Sequence, residues 1–269
     1  MLNRLSFSGP VWLASDIHLG AANPKTAQSF FRFLDRASAH AGALLLLGDI
    51  FDVWIGDDWL NKPPAWLDEC VDHLKRTSQR CPLWIGHGNR DFLMGQSLAN
   101  TLGAQLLADQ FILSVADRNY LIAHGDEFCT NDRAYQRFRR AVRNGWVQKA
   151  YLSLSLNSRA NIARKARQQS MQSQQQRDDK STAFDTRLDV NEETIAKALS
   201  EQGLATVIHG HTHRPGHYQH TVKGKSFERW VLPDWESDHL GPDQAERGGW
   251  IVLDQTGINR FDLASQKTK

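Results

Sequence analysis

Five short apolar runs, each followed at once by polar residues, constrain the fold of this chain more than any other feature of its sequence. The runs occupy residues 11–14, 43–47, 83–85, 120–123 and 205–208. Each has the length of a strand, and near-continuous apolarity is typical of strands that are covered on both faces. Helix-like stretches at residues 26–38 and 65–77 lie between the first three runs. This alternation predicts an α/β sandwich.

The polar residues that follow these runs are oxygen and imidazole donors and include no thiolate. The candidates are Asp16, His18, Asp49, Asn89, His124, His211 and His213. Open α/β sheets place ligand sites just past the carboxyl ends of their strands. Such a donor set suits Mn, Fe or Zn, and its carboxylate and amide oxygens also accept hard cations. Seven ligands exceed the need of one ion, so the set indicates two ions that share a bridging carboxylate, an arrangement suited to phosphoryl transfer.

Two pairs of these candidates are spaced two residues apart. Asp16 and His18 form one pair, and His211 and His213 form the other. Alternate side chains of a strand point to the same face. With that geometry, each pair can point into one site.

The composition excludes several classes of protein. The chain has 269 residues, of which 41% are hydrophobic and 23% charged, and these values exclude a disordered or collagen-like chain. Its longest purely apolar stretch has five residues, whereas a membrane span needs about 20. The N-terminus lacks the apolar region of a secretory signal, and the three cysteines lack the C-x-x-C spacing of a zinc site. We expect a cytoplasmic enzyme of bacterial type.

A basic segment interrupts the strand rhythm between the fourth and fifth runs. Residues 133–167 contain ten Lys or Arg and no Asp or Glu, whereas the rest of the chain is acidic. A basic segment inside an acidic body indicates a local anionic partner, and the acidic remainder disfavours nucleic acid. Apolar residues interleave with these cations at Phe138, Val142, Trp146, Val147, Tyr151, Leu152, Leu154 and Leu156. We interpret residues 131–188 as a helical insertion over the site.

The chain after this insertion has two further patterns. Residues 189–201 have the pattern of a helix that either Asp189 or Asn191 caps and that Gly203 ends. Residues 217–263 alternate as strands do, with a hairpin turn at residues 222–226. We expect this region to form a second, antiparallel layer.

Five polar blocks, D-x-H, GD, GN-x-D, HG and GH-x-H, occur in this order within residues 11–215. Together they resemble the motifs of the calcineurin-like metallophosphoesterases. The resemblance implies a four-layer α/β/β/α sandwich with a dinuclear metal site. It assigns one ion to Asp16, His18 and His213, the other to Asn89, His124 and His211, and the bridging position to Asp49. His87 and His209 lie outside this ligand set, and we expect them to support the structure.

The third block departs from the usual pattern of this family, because Arg90 stands where a His is usual. A His can give a proton to an alkoxide leaving group, whereas an Arg stays protonated. An Arg can still bind a phosphate with two hydrogen bonds and offset its charge. Arg90 therefore favours a leaving group that needs no proton, and a phosphate, whose second pKa is about 6, meets that condition. The substitution predicts cleavage of a pyrophosphate bond in preference to an alkyl phosphoester.

Four longer stretches carry a more specific signal: GDIFDVWIGDD, GNRDFLMG, HGDEFCTNDRAYQRFR and IHGHTHRP, at residues 48–58, 88–95, 124–139 and 208–215. They resemble a narrower family, the UDP-2,3-diacylglucosamine pyrophosphohydrolases of lipid A synthesis. The resemblance implies hydrolysis of UDP-2,3-diacylglucosamine to UMP and 2,3-diacylglucosamine 1-phosphate by water attack at the uridine-side phosphorus. It also implies two Mn²⁺ ions and a peripheral location at the cytoplasmic side of the bacterial inner membrane. No obligate protein partner is expected.

The same resemblance assigns the catalytic roles to Arg90 and Asp49. It places the substrate contacts at Asn89, Arg90, Asp132, Ser170, His211 and either Arg177 or, with a three-residue shift, Lys180. Residues 1–130 and 189–269 then form the core, and residues 131–188 form a helical cap for the lipid. A basic amphipathic cap can lie on an anionic membrane surface or line an acyl-chain groove. The alternative is that its aromatic residues simply pack the cap onto the core.

Two other functions stay open as alternatives. A nucleotide pyrophosphatase or phosphoprotein phosphatase of the same class would use the same metal site, but Arg90 and the basic, apolar insertion argue against it. A fold kept only as a binding scaffold would have lost ligands, and all seven are present.

Overall fold

The computed structural model describes residues 2–178, 189–241 and 244–263. Within these ranges it has twelve strands: β1 Asn3–Phe7, β2 Val11–Ala14, β3 Ala43–Leu46, β4 Leu83–Ile85, β5 Gln105–Leu106, β6 Gln110–Val115, β7 Arg118–Ala123, β8 Thr206–His209, β9 Gly216–Val222, β10 Lys225–Val231, β11 Gly249–Asp254 and β12 Gly257–Asp262. The α-helices of the same ranges are α1 Pro24–His40, α2 Ala65–Ser78, α3 Gln96–Leu102, α4 Arg133–Val142, α5 Gly145–Leu152, α6 Leu156–Asp178 and α7 Glu192–Gln202.

The strands form two six-stranded sheets. The first has the order β1-β6-β7-β8-β10-β9, and the second has the order β12-β11-β2-β3-β4-β5. All five apolar runs of the sequence are strands. Strands β2, β3 and β4 are parallel neighbours in the second sheet, and β7 and β8 are parallel neighbours in the first. The predicted α/β architecture is confirmed.

The core consists of three clusters of buried side chains, which define four layers. Between the sheets, Leu13 and Leu45 of the second sheet pack with Phe111 and Ile208 of the first. Helices α1 and α2 cover the outer face of the second sheet, and α7 covers the outer face of the first. The order of layers is therefore α/β/β/α, as the resemblance implied.

Strand β2 shows why the apolar runs predicted buried strands. All four of its residues are buried. Val11 and Leu13 face the other sheet, whereas Trp12 and Ala14 face the helices. Because alternate side chains point to opposite faces, a strand that is covered on both faces must be apolar throughout.

The prediction of a separate antiparallel layer for residues 217–263 is wrong. Strands β9 and β10 form the predicted hairpin, with Lys223 and Gly224 in its turn at φ 51° and 78°, a conformation that suits a tight hairpin. This hairpin extends the first sheet, where β10 runs parallel to β8, while β11 joins the second sheet beside β2. Strand β11 is buried along almost its whole length, so it needs cover on both faces and lies inside a sheet.

Helices α4, α5 and α6 occupy the interval in which the sequence predicts a helical insertion. Helix α7 follows, and the side chain of Asn191 caps it by accepting a hydrogen bond from the backbone of Thr194 at 2.9 Å. The helix ends at Gly203, which has φ 66°. Of the two predicted caps, Asn191 is the one observed, since Asp189 instead accepts hydrogen bonds from two arginines. Among the helices of the described ranges, none combines the length and apolarity needed to cross a membrane.

Candidate metal centre

The loops that follow β2, β3 and β8 carry five of the candidate ligands in the left-handed region of backbone space. Their φ angles are 56° for Asp16, 56° for His18, 51° for Asp49, 66° for His211 and 52° for His213. Strands β2 and β8 end before these pairs begin, so the strand geometry by which each pair was expected to point into one site does not apply. The side chains converge from turns, in a conformation that non-glycine residues adopt mainly where the surrounding structure enforces it.

Asp16, His18 and His213 form the first compact group of ligand atoms. One atom from each residue lies within 4.8 Å of the others. The Nε2 atoms of His18 and His213 are 3.3 Å apart, and Nε2 of His213 is 3.4 Å from Oδ1 of Asp16. Two imidazole nitrogens and a carboxylate oxygen thus point at one small volume.

Asp16, Asp49 and His124 form a second group, again with ligand atoms within 4.8 Å of one another. Asn89 lies beside it, because its Oδ1 atom is 3.4 Å from Nε2 of His124 and 3.0 Å from Nδ1 of His211. The structure therefore brings all seven predicted ligands together. The two groups are adjacent, since Asp16 belongs to both.

Asp49 stands between the two groups. Its Oδ2 atom is 3.9 Å from Nδ1 of His18, and its Oδ1 atom is 3.9 Å from Nε2 of His124. Each carboxylate oxygen therefore faces a different set of ligands. A carboxylate in this position suits a bridge between two ions.

The donor atoms of this centre fit divalent cations. Asp16 and Asp49 are almost fully buried near each other, and Nδ1 of His18 is buried without a hydrogen-bond partner. Buried like charges and unpaired ring nitrogens are costly unless a cation offsets them. Burial raises the pKa of Asp49. Burial also acts to raise the pKa of Asp16, but the hydrogen bond with His213 and the charge of His124 outweigh it and hold that pKa well below its usual value.

Asp91 and the backbone carbonyl of Leu47 hold the metal-ligand residues in place from positions behind them. Asp91 is fully buried and accepts hydrogen bonds from the backbone of Ile50 and Gly88, each at 2.7 Å. Burial, with the charge of Asp49, raises the pKa of Asp91 to about 6. Nδ1 of His124 lies 3.0 Å from the carbonyl of Leu47, so a proton on Nδ1 leaves Nε2 free to bind a cation.

Two glycines allow the loops after β3 and β4 to approach each other. A Cβ atom on Gly48, which has φ 100°, would lie 2.3 Å from the backbone nitrogen of Gly88. A Cβ atom on Gly88 would lie 2.0 Å from Oδ1 of Asp49. A side chain at position 48 would push the two loops apart, and one at position 88 would displace the carboxylate of Asp49. The glycines of the GD and GN-x-D blocks are therefore required by packing.

Arg90 lies at the edge of this centre. Its backbone N–H donates to Oδ1 of Asp49 at 2.9 Å, and its Nε atom is 3.5 Å from Oδ2 of the same residue. Its Nη1 atom contacts Asp52 at 2.5 Å. The guanidinium is therefore held against the candidate bridging carboxylate, where a phosphate bound to the centre would meet it.

The other predicted residues have different surroundings. Asp132 caps α4, because its carboxylate accepts the backbone N–H of Tyr135 at 2.9 Å. Ser170 and Arg177 belong to α6, but their side chains lie outside the described part of the structure, as does the whole of Lys180. His87 and His209 each contact a backbone carbonyl, of Met94 and Gly210, which agrees with a supporting role.

Sequence reasoning missed three residues beside the centre: Asp52, Arg167 and Asp234. Oδ2 of Asp234 is 3.8 Å from Nδ1 of His213, so Asp234 can orient that ring. Asp234 follows the carboxyl end of β10, which runs parallel to β8. The search for polar residues after parallel strands would have included Asp234 if the sequence had identified β10 as such a strand. Asp52 and Arg167 form an ion pair at 3.0 Å, which joins distant parts of the chain and leaves no local signal.

The cap presents apolar side chains to solvent. Trp146 is 81% exposed and Phe138 is 52% exposed, and Val147, Leu152 and Leu154 are exposed as well. The alternative in which the aromatic residues pack the cap onto the core is wrong for Trp146 and Phe138. Tyr151 is half-buried, and its hydroxyl donates at 3.0 Å to the carbonyl of Arg159, another residue of the cap.

Residues 9–215 match the calcineurin-like phosphoesterase family, and the chain belongs to this family of hydrolases. Its relatives have a more particular name. A UDP-2,3-diacylglucosamine hydrolase of Bordetella parapertussis is 45% identical over 266 residues, which cover 99% of this chain and 100% of the relative. The hydrolase of the same name from Serratia proteamaculans is 40% identical over 222 residues, which cover 82% of this chain and 89% of the relative. Among solved structures, an archaeal phosphodiesterase superimposes with a TM-score of 0.46 at 10% identity, covering 94% of this chain and 99% of that chain.

Proposed function

We propose that this chain hydrolyses the pyrophosphate bond of UDP-2,3-diacylglucosamine to give UMP and 2,3-diacylglucosamine 1-phosphate in lipid A synthesis. The relatives that match most of its length have the name of this hydrolase. The observation that carries the proposal is the position of Arg90, whose backbone and side chain both contact Asp49. A permanent cation at this point stabilises a leaving phosphate but gives no proton to an alkoxide. A pyrophosphate bond therefore fits the site better than an alkyl ester does.

Two divalent cations would occupy the centre, and we propose Mn²⁺ as the metal. Asp16, His18 and His213 would hold one ion, and Asn89, His124 and His211 would hold the other, with Asp49 between them. When bound, the cations would polarise the phosphoryl oxygens and stabilise the attacking and leaving oxygens. The two compact ligand groups support this assignment, as do the two carboxylate oxygens of Asp49, which face His18 and His124.

The side chains around the centre would orient the substrate for water attack at the uridine-side phosphorus. Asn89 and His211 contact each other at 3.0 Å and would both touch the bound phosphate. Arg90 would bind the lipid-side phosphate, so that the charge of the leaving group develops beside a fixed guanidinium. Asp132, Ser170 and either Arg177 or Lys180 complete the proposed substrate contacts.

The cap, residues 131–188, would bind the lipid and dock on the anionic cytoplasmic face of the inner membrane, with residues 1–130 and 189–269 as the catalytic core. The exposed side chains of Trp146 and Phe138 support this role, since aromatic residues interleaved with cations are typical of helices that lie in a membrane surface. Neither docking nor catalysis needs an obligate protein partner in this scheme.

The proposal is tested by incubating the purified, Mn²⁺-loaded protein with UDP-2,3-diacylglucosamine in mixed micelles and measuring UMP. We expect UMP and the lipid phosphate in equal amounts, and far slower cleavage of an alkyl phosphodiester such as glycerophosphocholine, a diester whose alkoxide leaving group needs a proton. The Asp49→Ala variant controls for contaminating hydrolases. Absence of UMP, or preferential cleavage of the diester, would contradict the proposed substrate.

A further inference from the structure

Asp52 joins an arginine of the core to an arginine of the cap. Its Oδ1 atom is 2.5 Å from Nη1 of Arg90 and 3.0 Å from Nη2 of Arg167. Arg90 follows β4 and contacts the candidate metal centre, whereas Arg167 lies on α6. A single carboxylate oxygen therefore brings together two guanidinium groups that are 77 positions apart in the sequence.

The backbone of Asp52 is fixed relative to the metal ligands. Its N–H donates to the carbonyl of Leu19 at 2.9 Å. The residues immediately before it are held by Asp91, whose carboxylate accepts hydrogen bonds from the backbone of Asp49, Ile50 and Phe51. Because Asp49 and Asp52 belong to the same braced loop, the carboxylate of Asp52 stands at a defined place beside the centre. It can therefore set where the two arginines lie.

The three side chains are accessible to a ligand. Asp52 is 31% exposed, Arg90 20% and Arg167 36%. A second ion pair of α6 within the described residues, between Arg159 and Asp58, differs, because Arg159 is almost fully buried and also donates to the carbonyl of Ile55. Arg159 therefore anchors the helix, whereas Arg167 can exchange partners with a bound anion.

The charges at this point favour an anion of more than one charge. Asp52 supplies one negative charge to two guanidinium groups that share its oxygen, and the second carboxylate beside Arg90, Asp49 at 3.5 Å, is itself a candidate metal ligand. Burial, followed by the nearby charge of Arg90, lowers the pKa of Arg167. A phosphate group has the charge and the oxygen geometry to accept hydrogen bonds from both arginines.

We propose that Asp52 is a positioning residue that aligns Arg90 and Arg167 as a pair that binds a phosphate group beside the candidate metal centre. The inference rests on the proposed function in one respect, since the phosphate in the reaction is the lipid-side phosphate of the substrate. Asp52 is itself an anion and does not touch that phosphate; it acts through the two arginines. The cap thereby contributes a charged group to the reaction as well as a surface for lipid.

The phosphate site is tested first without the lipid, by titrating inorganic phosphate into the Mn²⁺-loaded protein and measuring heat. Arg167→Gln should weaken phosphate binding about tenfold, the size of one lost hydrogen bond to a charged group. Arg164→Gln, an exposed arginine of the same helix, should change it less than about twofold, as a surface substitution does. Equal phosphate affinity of the parent and the Arg167→Gln variant would overturn the proposal, whatever the true substrate.

The role of Asp52 is tested by steady-state kinetics on UDP-2,3-diacylglucosamine. Asp52→Asn should lower kcat about tenfold, because the arginines lose their alignment with the developing charge. KM should not rise, since removal of a negative charge favours binding of an anionic substrate, and Asp52→Glu should restore part of kcat. Asp109→Asn is the matched control, because Asp109 also contacts two cap arginines, Arg139 and Arg143, but not Arg90.

A double-mutant cycle separates this role from a general structural one. In the Arg167→Gln background, Asp52→Asn should lower kcat less than about threefold, because residues that act through one network are not additive. An unchanged kcat in Asp52→Asn, or an equal loss in both backgrounds, would contradict the proposal. A parent protein that binds phosphate as expected but releases no UMP would instead contradict the proposed function alone.

Discussion

The metal-ligand loops and the cap differ in how deeply their functional side chains are buried. In the loops, Asp16, Asp49 and His124 are nearly fully buried, and backbone hydrogen bonds and tight glycine contacts fix each carboxylate. In the cap, Trp146 and Phe138 are exposed, and α4 and α5 have no buried residue. The ligand centre is thus packed within the chain, whereas α4 and α5 leave their side chains partly or fully exposed to solvent.

The cap and the core are joined by ion pairs in which the cap always supplies the positive charge. Each joins a cap arginine to a core aspartate: Arg139 with Asp126, Arg143 with Asp109, Arg159 with Asp58 and Arg167 with Asp52. Part of the charge asymmetry seen in the sequence is therefore satisfied inside the molecule. An anionic membrane would meet the remaining exposed cations, such as Arg133, Arg137 and Arg140 of α4.

The largest effect should come from removing the carboxylate between the two ligand groups. Asp49→Ala should lower kcat/KM by more than about 10³-fold, above the loss of about 10²–10³ that removal of one electrostatic contact causes. Metal content should fall, while the circular dichroism spectrum persists because the sheets do not depend on this side chain. Metal analysis and kinetics together check this, and full hydrolysis at near-zero metal stoichiometry would refute a metal-dependent centre.

Arg90→His should have the next largest effect. Loss of one electrostatic contact with developing charge costs about 10²–10³ in kcat, and an imidazole at position 90 cannot keep the paired contacts to Asp49 and Asp52. Metal content should not change, which separates this variant from Asp49→Ala. A variant as active as the parent would show that the guanidinium has no role in the reaction.

Charge reversal on α4 should affect the membrane and spare the centre. Replacing Arg133, Arg137 and Arg140 by Glu should weaken binding to anionic vesicles about 10²-fold or more, since each cation near such a surface contributes about 1 kcal/mol. High salt should also weaken vesicle binding by the parent protein. Reversal of Lys75, Arg76 and Arg80, three exposed cations of the core, is the control; equal losses in both variants would exclude a specific role of the cap.

Asp58→Asn should give the smallest effect, a decrease of about 1–2 kcal/mol in the free energy of unfolding. The hydrogen bond from Arg159 holds the pKa of Asp58 below its usual value. Its stabilisation should therefore be complete above the unfolded pKa of about 3.9 and disappear as pH falls through the lower folded pKa. Denaturant titrations at neutral and acidic pH check this, with Asp117→Asn in the exposed β6–β7 turn as the control. If the parent and Asp58→Asn still differ in their free energy of unfolding at a pH below the folded pKa of Asp58, the ion pair is not the cause of the difference.

The sequence predicted what depends on local rules. Parallel strands that are buried on both faces leave apolar runs, and their carboxyl ends meet at one place, so the order of residues alone predicts that Asp16, Asn89 and His211 lie together. It does not predict the left-handed backbone at Asp16 and His211, because spacing alone does not distinguish a strand from a tight turn.

Contacts between distant segments had no local signal. The partners of β10 and β11 depend on which sheet has a free edge, and Asp52 meets Arg167 only after α6 folds back over the loop that follows β3. The basic segment predicted an anionic partner, but four of its arginines contact aspartates of the same chain. Charge counts along a sequence do not distinguish an internal partner from an external one.

In the proposed reaction, the chain directs water to the uridine-side phosphorus and the lipid phosphate leaves beside Arg90. Hydrolysis of UDP-2,3-diacylglucosamine in ¹⁸O-labelled water, followed by mass spectrometry of both products, tests it directly. We predict one ¹⁸O atom in UMP and none in 2,3-diacylglucosamine 1-phosphate. Label in the lipid phosphate would contradict the account, because UMP would then be the leaving group.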